Sequence, residues 1–445
     1  MTRADAVGVG REDTVRVLIL GTGAMAKLVG ARLARTGRAE VTLAGTWVAA
    51  IEAMARDGIT VEEECGEWTV PVWAVRLDAA DRERDFRLGW ADLEGAFDLV
   101  LVLVKSHQTA SVAPVAARAV APGGMVLTLQ NGLGNREILT AAAASATAAA
   151  VDLAAQRVAA GVTSMGATGL APARVRAGGP GSTVIGTTPA TERATRDLAA
   201  LWREGGMEID ITEDIERLLW RKLAVNAAIN PLSALLGVPN GRLLEALDLR
   251  GTLVAAAREV GAVAAARGID LGADPAELAL DVARRTADNR SSMLQDVLRG
   301  AETEIDAISG AVVREGRRLG VPTPVNAAMW EAVRRIGEGD VSLARGRRLP
   351  VNRAKQPGFW FVGGFKRDLP AASPLPAPSV IGLGVRPKGD QSDVGAKLPG
   401  DSPSPSPNPF IPGCFARFTG NLGPGTPGTN VLSKGLPLSG GSSKG

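Results

Sequence analysis

The run VRVLILGTGAMA, at positions 15–26, constrains what this chain can fold into more than any other feature. A largely apolar strand-like run leads straight into Gly21-Thr22-Gly23, and from Ala24 the sequence AMAKLVGARLARTG has the composition and period of a helix. A buried strand that passes through Gly-x-Gly into a helix is how a βαβ unit opens when it holds a dinucleotide. Gly21 permits the tight turn, Gly23 lets a pyrophosphate approach the backbone, and the small Ala26 lets the helix pack on the strand. The helix N-terminus offers unpaired N–H groups and the positive end of its dipole, which suits an anion. Gly21, Thr22, Gly23, Ala24, Met25 and Ala26 are therefore the candidate cofactor-binding residues.

Three further apolar runs, VTLA (41–44), LVLVLV (99–104) and MVLTL (125–129), alternate with Ala/Leu/Arg-rich helical stretches up to about residue 205. LVLVLV is apolar at every position, as a strand covered on both faces must be. This is the pattern of a doubly wound parallel sheet, a Rossmann-like α/β domain. Beyond it the period changes to i, i+3, i+4, in segments such as IERLLWRKLAVNAAINPLSALL and GTLVAAAREVGAVAAARG, which predicts an all-helical second domain. The resulting plan is an N-terminal tail (1–14), a dinucleotide-binding domain (15–212), a helical substrate domain (213–338) and a Pro/Gly/Ser-rich tail (339–445). The last segment has too few apolar positions to offset the entropy of ordering and is expected to be disordered. The Ala-rich stretch 141–155 is expected to be a helix or linker within the first domain.

Composition excludes several classes. Fifty Lys and Arg against 47 Asp and Glu leave a net charge of +3 over 445 residues, with no basic run interleaved with aromatics, so nucleic acid is not an expected partner. The polar start MTRADAVGVGREDT and the absence of a long apolar run argue against a leader or a membrane span, and point to a cytoplasmic protein. Cys65 and Cys414 suggest neither a disulfide framework nor a metal site. With a single histidine, His107, and no tyrosine, a proton donor must be Lys, Asp, Glu, Cys or that imidazole, and no metal is expected.

Five further places carry chemistry. After the second strand the chain reads Ala44-Gly45-Thr46-Trp47, with neither the acid that takes a ribose hydroxyl nor the arginine that takes a 2′-phosphate. The missing acid favours NADPH, with Thr46 as a phosphate contact and Lys27 or Arg38 as other sources of charge, but NADH is not excluded. In LVLVKSHQT, Lys105 falls at the carboxyl end of a central strand, where ligands bind in such sheets; His107, two residues on, reads as a surface or packing residue. In LTLQNGLGN, Asn131 sits at the next strand end with a donor and an acceptor to offer. WRKLAVNAAINPLSALLG sets Lys222, Asn226 and Asn230 at i, i+4, i+8, a polar stripe on an otherwise apolar helix. Finally, NRSSMLQDVLRGAETEIDAISG carries Ser291, Ser292, Asp296, Glu302, Glu304 and Asp306. A carboxylate there can fix a lysine, and a serine can bind a carboxylate ligand.

GTGAMA, VKSHQT, QNGLGN, WRKLAVNAAINPLSALLG, SSMLQDV and TEIDAISG, in this order, resemble the ketopantoate reductase (2-dehydropantoate 2-reductase) family over residues 15–336. The resemblance implies NADPH-dependent reduction of 2-dehydropantoate to (R)-pantoate, a step toward pantothenate and coenzyme A. It implies Lys222 as general acid and Glu304 as the acidic residue supporting substrate binding and catalysis. Asn226, Asn230 and Ser292 match substrate-binding positions, and Lys105 and Asn131 match residues at the cleft mouth that contact cofactor and substrate. Three departures are that Ala26 stands where the family has glycine, that GTW lacks the arginine common after the second strand, and that the Pro/Gly/Ser tail from about residue 340 has no counterpart in the family's pattern. The other readings are a reductase of another 2-oxo acid or an imine, or a non-catalytic NAD(P)-binding redox sensor. Oligomeric state is open, a homodimer included.

Overall fold

The computed structural model describes residues 14–77, 93–146, 157–179 and 181–337, all within one compact unit, Met1–Pro370. The expected tails 1–14 and 339–445 lie outside these residues apart from Thr14, as does the end of the Ala-rich stretch. The chain enters through β1 (Val15–Leu20), crosses over by α1 (Ala24–Arg35) and returns in β2 (Ala39–Gly45), parallel to β1 with Val17 beside Val41. Helix α2 (Val48–Asp57), the hairpin β3 (Ile59–Glu63) and β4 (Gly66–Val70), and β5 (Trp73–Arg76) follow. Then β6 (Phe97–Val102) lands on the opposite side of β1. Next come α3 (Thr109–Ala119), β7 (Val120–Thr128), α4 (Asn135–Ala146), β8 (Val158–Thr163), β9 (Ala167–Ala171), β10 (Arg174–Ala177), β11 (Ser182–Gly186), α5 (Glu192–Glu204) and β12 (Glu208–Thr212).

The large sheet has the order β12-β11-β8-β7-β6-β1-β2-β5. From β5 to β8 every pairing is parallel, and the chain reverses its direction of travel between β1 and β6. That reversal is the topological switch point of a Rossmann sheet, where a crevice opens beyond the strand ends. The central strands are apolar beyond their first residues, where Arg16 of β1 pairs with Asp98 of β6, because both faces are covered there. Val17, Ile19, Leu99 and Leu101 pack with Leu28 and Val29 of α1 and Leu198 and Trp202 of α5. Leu18, Leu20, Val100 and Val102 pack with Val112 and Val115 of α3 and Leu139 of α4.

The sheet departs from a purely parallel plan at one end, where β11 runs antiparallel to β8. A second sheet, β4-β3-β10-β9, was not legible from the sequence. Its strands are short and half-exposed, so an alternation such as ITVEE and GEWTV carries charge on its outer face and gives a weak signal.

The helical half is built on α6 (Ile215–Leu236), with α7 (Leu247–Ala266), α8 (Pro275–Arg285), α9 (Ser292–Leu298), α10 (Ser309–Leu319) and α11 (Pro324–Gly337). Asp214 caps α6 by accepting from the Arg217 N–H, and Gly237, at φ +67°, ends it in the left-handed conformation. Ala224, Ala227 and Ala228 are fully buried, and such small side chains let α7, α8 and α9 approach α6 closely. Among the described residues, no helix is long and apolar enough to cross a membrane.

The α/β and helical halves are joined by backbone as well as side chains. Gly132, at φ +83°, packs so closely on Ala307 that a Cβ would overlap its carbonyl, and that carbonyl accepts the Leu133 N–H at 2.9 Å. Gly132→Ala is expected to lower the urea midpoint by the equivalent of about 2 kcal/mol or more, since strained φ and overlap add. An unchanged midpoint would show that the two halves do not need this contact.

Candidate active site

Three loops meet at the switch point. The Gly21 N–H donates to the Ala44 carbonyl at 2.8 Å, and the Leu103 N–H donates to the Leu20 carbonyl at 2.9 Å. Gly21 adopts φ +137°, and a Cβ there would lie 2.9 Å from the Leu103 carbonyl carbon and oxygen. The turn is thus wedged against the end of β6, and only glycine fits. Gly23 is its opposite: nothing lies within 4 Å of a Cβ built on it, and no side chain caps the helix it starts. An open backbone leading into uncapped first-turn N–H groups fits a pyrophosphate. Ala24 and Met25 form the first turn of α1, and Ala26 is fully buried against the sheet, as its small size allows.

Lys105 lies three residues past β6, just before a 3₁₀ turn at Ser106–Gln108. Its ammonium is 2.5 Å from Asp296 Oδ2 and 4.0 Å from Glu304 Oε2. The carboxylate expected to fix a lysine is therefore Asp296, itself only 2% exposed and also paired with Arg299. Glu304, 7% exposed, comes from the helical half and is clasped by the α/β half. The Ser106 N–H donates to its Oε1 at 3.2 Å, with the Ser106 hydroxyl at 2.9 Å from the same oxygen, and Asn131 Nδ2 donates to Oε2 at 3.0 Å.

Asn131 is fixed in turn. Its carbonyl accepts from Asn135 Nδ2 at 3.1 Å, Thr109 joins Asn135 at 2.8 Å, and Gln130 Nε2 donates to Thr109 at 2.8 Å and to the Val104 carbonyl at 2.9 Å. Sequence reasoning missed Ser106, Thr109, Gln130 and Asn135. Their sole signal was adjacency to Lys105 and Asn131, because their roles depend on a 3₁₀ turn and on partners far along the chain.

Lys222, half-buried on α6, donates to the Thr163 carbonyl at the end of β8, at 2.9 Å. Burial pushes its ammonium down to about 8, against the opposing pull of the Glu304 charge. Asn226 is half-buried one turn on, and Asn230 is buried a further turn on. Ser292 is exposed at the start of α9. Its neighbour Ser291 is structural: it caps α9 through the Leu294 N–H and lies 2.6 Å from the Ser233 hydroxyl. Asp306 accepts from the Trp330 indole at 2.7 Å and is likewise structural. His107 has Nδ1 3.6 Å from exposed Glu302, at the rim. Thr46 and Trp47 are exposed after β2, while Arg38 is paired with Glu204. Among the described residues, no group of three or more His, Cys, Asp or Glu is placed to hold a metal. A surface groove of about 590 Å³ lined by Arg258, Gly261 and Leu271 belongs to the α7–α8 surface and contains none of these groups.

Two family models cover this arrangement: ketopantoate reductase PanE/ApbA over residues 17–190 and its C-terminal model over 214–337. The chain belongs to the ketopantoate reductase family. It is 36% identical over 321 residues to the 2-dehydropantoate 2-reductase of Halobacterium salinarum, a match that covers 72% of this chain and 98% of that protein. Its fold matches the crystal structure of a PanE/ApbA family ketopantoate reductase from Ralstonia eutropha with a TM-score of 0.63 at 32% identity, over 73% of this chain and 99% of that one. The 2-dehydropantoate 2-reductase of Geobacter metallireducens matches with a TM-score of 0.62 at 28% identity, over 72% and 99%.

For this member of the family, the titration of Lys222 tests the site's electrostatics directly. In ¹³C NMR of reductively methylated protein, the Lys222 resonance is expected to titrate near 8, and lower still in Glu304→Gln, where the charge that favours the ammonium is gone. Titration at an ordinary lysine value in both proteins would show that the site does not desolvate this group.

Proposed function

We propose that the chain is an oxidoreductase that reduces 2-dehydropantoate to (R)-pantoate, the precursor of pantothenate and coenzyme A, with NADPH as the reductant. The observation that carries this reading is the meeting of Lys222 and Glu304 with Lys105, Ser106 and Asn131 beside the open Gly21-Thr22-Gly23 turn. When bound, the dinucleotide supplies a hydride to the ketone carbon. Residues 15–212 hold it, through the turn and first helical turn, with Thr46, Lys105 and Asn131 at its flanks. Residues 213–338 hold the substrate and deliver the proton. The absence of an acid after β2 favours NADPH, since a carboxylate there would repel a 2′-phosphate.

Lys222 is the proton donor. Its ammonium approaches the ketone oxygen, stabilises the negative charge that develops there and then transfers a proton. A group titrating near 8 is largely charged at neutral pH yet gives up its proton far more readily than an exposed lysine. Glu304 keeps Lys222 charged and, by its bonds to Ser106 and Asn131, holds the two halves in register. Asn226, Asn230 and Ser292 bind the substrate carboxylate and hydroxyl, and Lys105 adds a positive charge at the mouth of the site.

Two outcomes follow for the oxidation of NADPH and NADH, followed by absorbance with and without 2-dehydropantoate. Lys222→Ala is expected to lower kcat by about a hundredfold or more, close to 3 kcal/mol of barrier, and a loss within about tenfold would remove the donor role. In the intact enzyme, the donor is lost as pH rises through about 8, so kcat/KM is expected to fall above that pH. Glu304→Gln should move the fall to lower pH as well as reduce the rate; an unmoved limb would mean that Lys222 does not set it.

A further inference from the structure

Lys27 is a buried cation for which the reduction has no task. It stands in the first turn of α1, four residues after Gly23, and is 1% exposed. Its ammonium donates to the carbonyls of Ala171, at 2.9 Å, and Pro172, at 3.2 Å, where β9 turns toward β10. The Trp47 ring centroid lies 5.2 Å away. Two carbonyls and an indole orient an ammonium without neutralising it, and none of them is an anion. The other cations of α1 and its end differ: Arg32 pairs with Glu63, Arg35 stacks on Trp68 at 4.3 Å, and Arg38 pairs with Glu204. Burial pulls Lys27 down to about 8, with no carboxylate among the described residues to hold it up. A buried ammonium with no counter-ion among the described residues is costly, and groups so perturbed cluster at ligand sites.

The location says which ligand. Trp47 is the second residue after β2, the region where dinucleotide folds read the 2′ position of the adenosine ribose. Gly45 makes room there for Thr22 of the glycine turn, since a Cβ on it would come 2.8 Å from Thr22 Cγ2. A Cβ on Gly169 would come 3.9 Å from both the Ala24 methyl and Lys27 Nζ, so β9 lies across the first turn of α1. The lysine ammonium therefore lies between β9 and the Trp47 ring beside the first turn of α1, and Trp47 is 46% exposed.

We propose that Lys27 reads a phosphate ester on the ribose of the bound dinucleotide, in place of the arginine that this chain lacks after β2, with Trp47 as the cover that swings aside. This rests on the reading that a dinucleotide binds at the Gly21-Thr22-Gly23 turn. The third ammonium proton, left by the two carbonyls, is the one donated to the phosphate. Lys27 is thus a specificity residue: it discriminates between cofactors and does not touch the reacting atoms.

Isothermal titration calorimetry on the full-length protein, with 2′,5′-ADP, 5′-AMP and inorganic phosphate, tests this without turnover. The intact protein is expected to bind 2′,5′-ADP at least about tenfold more tightly than 5′-AMP, roughly 1.4 kcal/mol. Lys27→Met should bring the ratio close to one by weakening 2′,5′-ADP, and Lys27→Arg should recover part of it. Binding of 5′-AMP to Lys27→Met reports that the variant is folded. A ratio that survives in Lys27→Met overturns the assignment, as does equal weakening of both nucleotides, which would make Lys27 structural. Inorganic phosphate binding as tightly as 2′,5′-ADP would overturn it in favour of a free-anion site. If the intact protein binds 5′-AMP but shows no preference for the 2′-phosphate, Lys27 alone is misassigned. If it binds neither nucleotide, the dinucleotide reading itself falls.

Discussion

The Glu304 carboxylate is the interaction on which the rest of the site depends. It belongs to the helical half, yet its hydrogen-bond donors, Ser106 and Asn131, belong to the α/β half, and both lie at strand ends beside the glycine turn. A carboxylate so deeply buried is tolerable only when its oxygens are occupied, and here backbone N–H, hydroxyl and amide groups occupy them. The bond does two things at once. It holds the cleft in register alongside the Gly132–Ala307 contact, and it places a negative charge where Lys222 feels it.

Buried ion pairs rarely stabilise a fold more than apolar side chains of the same size would, because desolvation offsets most of the attraction. Asp296 and Glu304 are buried but Lys105 is 37% exposed, and solvent screens such a pair, so its pairing with Asp296 is better understood as positioning than as stability. Stability comes instead from the double-faced sheet and from the alanine-lined packing around α6. The polar groups sit at the edges of those cores, at the ends of β1, β6, β7 and β8, where the backbone stops bonding to neighbouring strands and loops turn toward the helices.

Much of this was legible in the sequence, for a physical reason. A strand covered on both faces reads as a near-continuous apolar run, so β1 from Val17 and β6 from Leu99 announce themselves, and the glycine turn follows from the backbone angles it requires. The placement of Lys222, Asn226 and Asn230 along one helix was legible because a polar stripe on an apolar helix is conspicuous at spacing four. Half-exposed strands such as β3, β4, β9 and β10 lack that contrast, and the antiparallel entry of β11 leaves no mark on composition. Ser106 was hidden because its value lies in where a 3₁₀ turn aims its N–H, toward a residue nearly two hundred positions away. Of the two adjacent serines, sequence could not tell that Ser291 is occupied as a helix cap while Ser292 is exposed.

Lys222 and Lys27 share a design that sets them apart from the surface arginines. Both are drawn down to about 8 by burial, and both donate to main-chain carbonyls: Thr163 in one case, Ala171 and Pro172 in the other. A carboxylate partner would raise a lysine's affinity for its proton and occupy its charge. A carbonyl fixes the direction of the ammonium and leaves the charge unspent for an incoming anion or a developing alkoxide. Lys222 differs from Lys27 in the field of Glu304, which favours its charged form. The same side chain thus stands in two settings, within the field of an acid at Lys222 and with burial alone acting on it at Lys27.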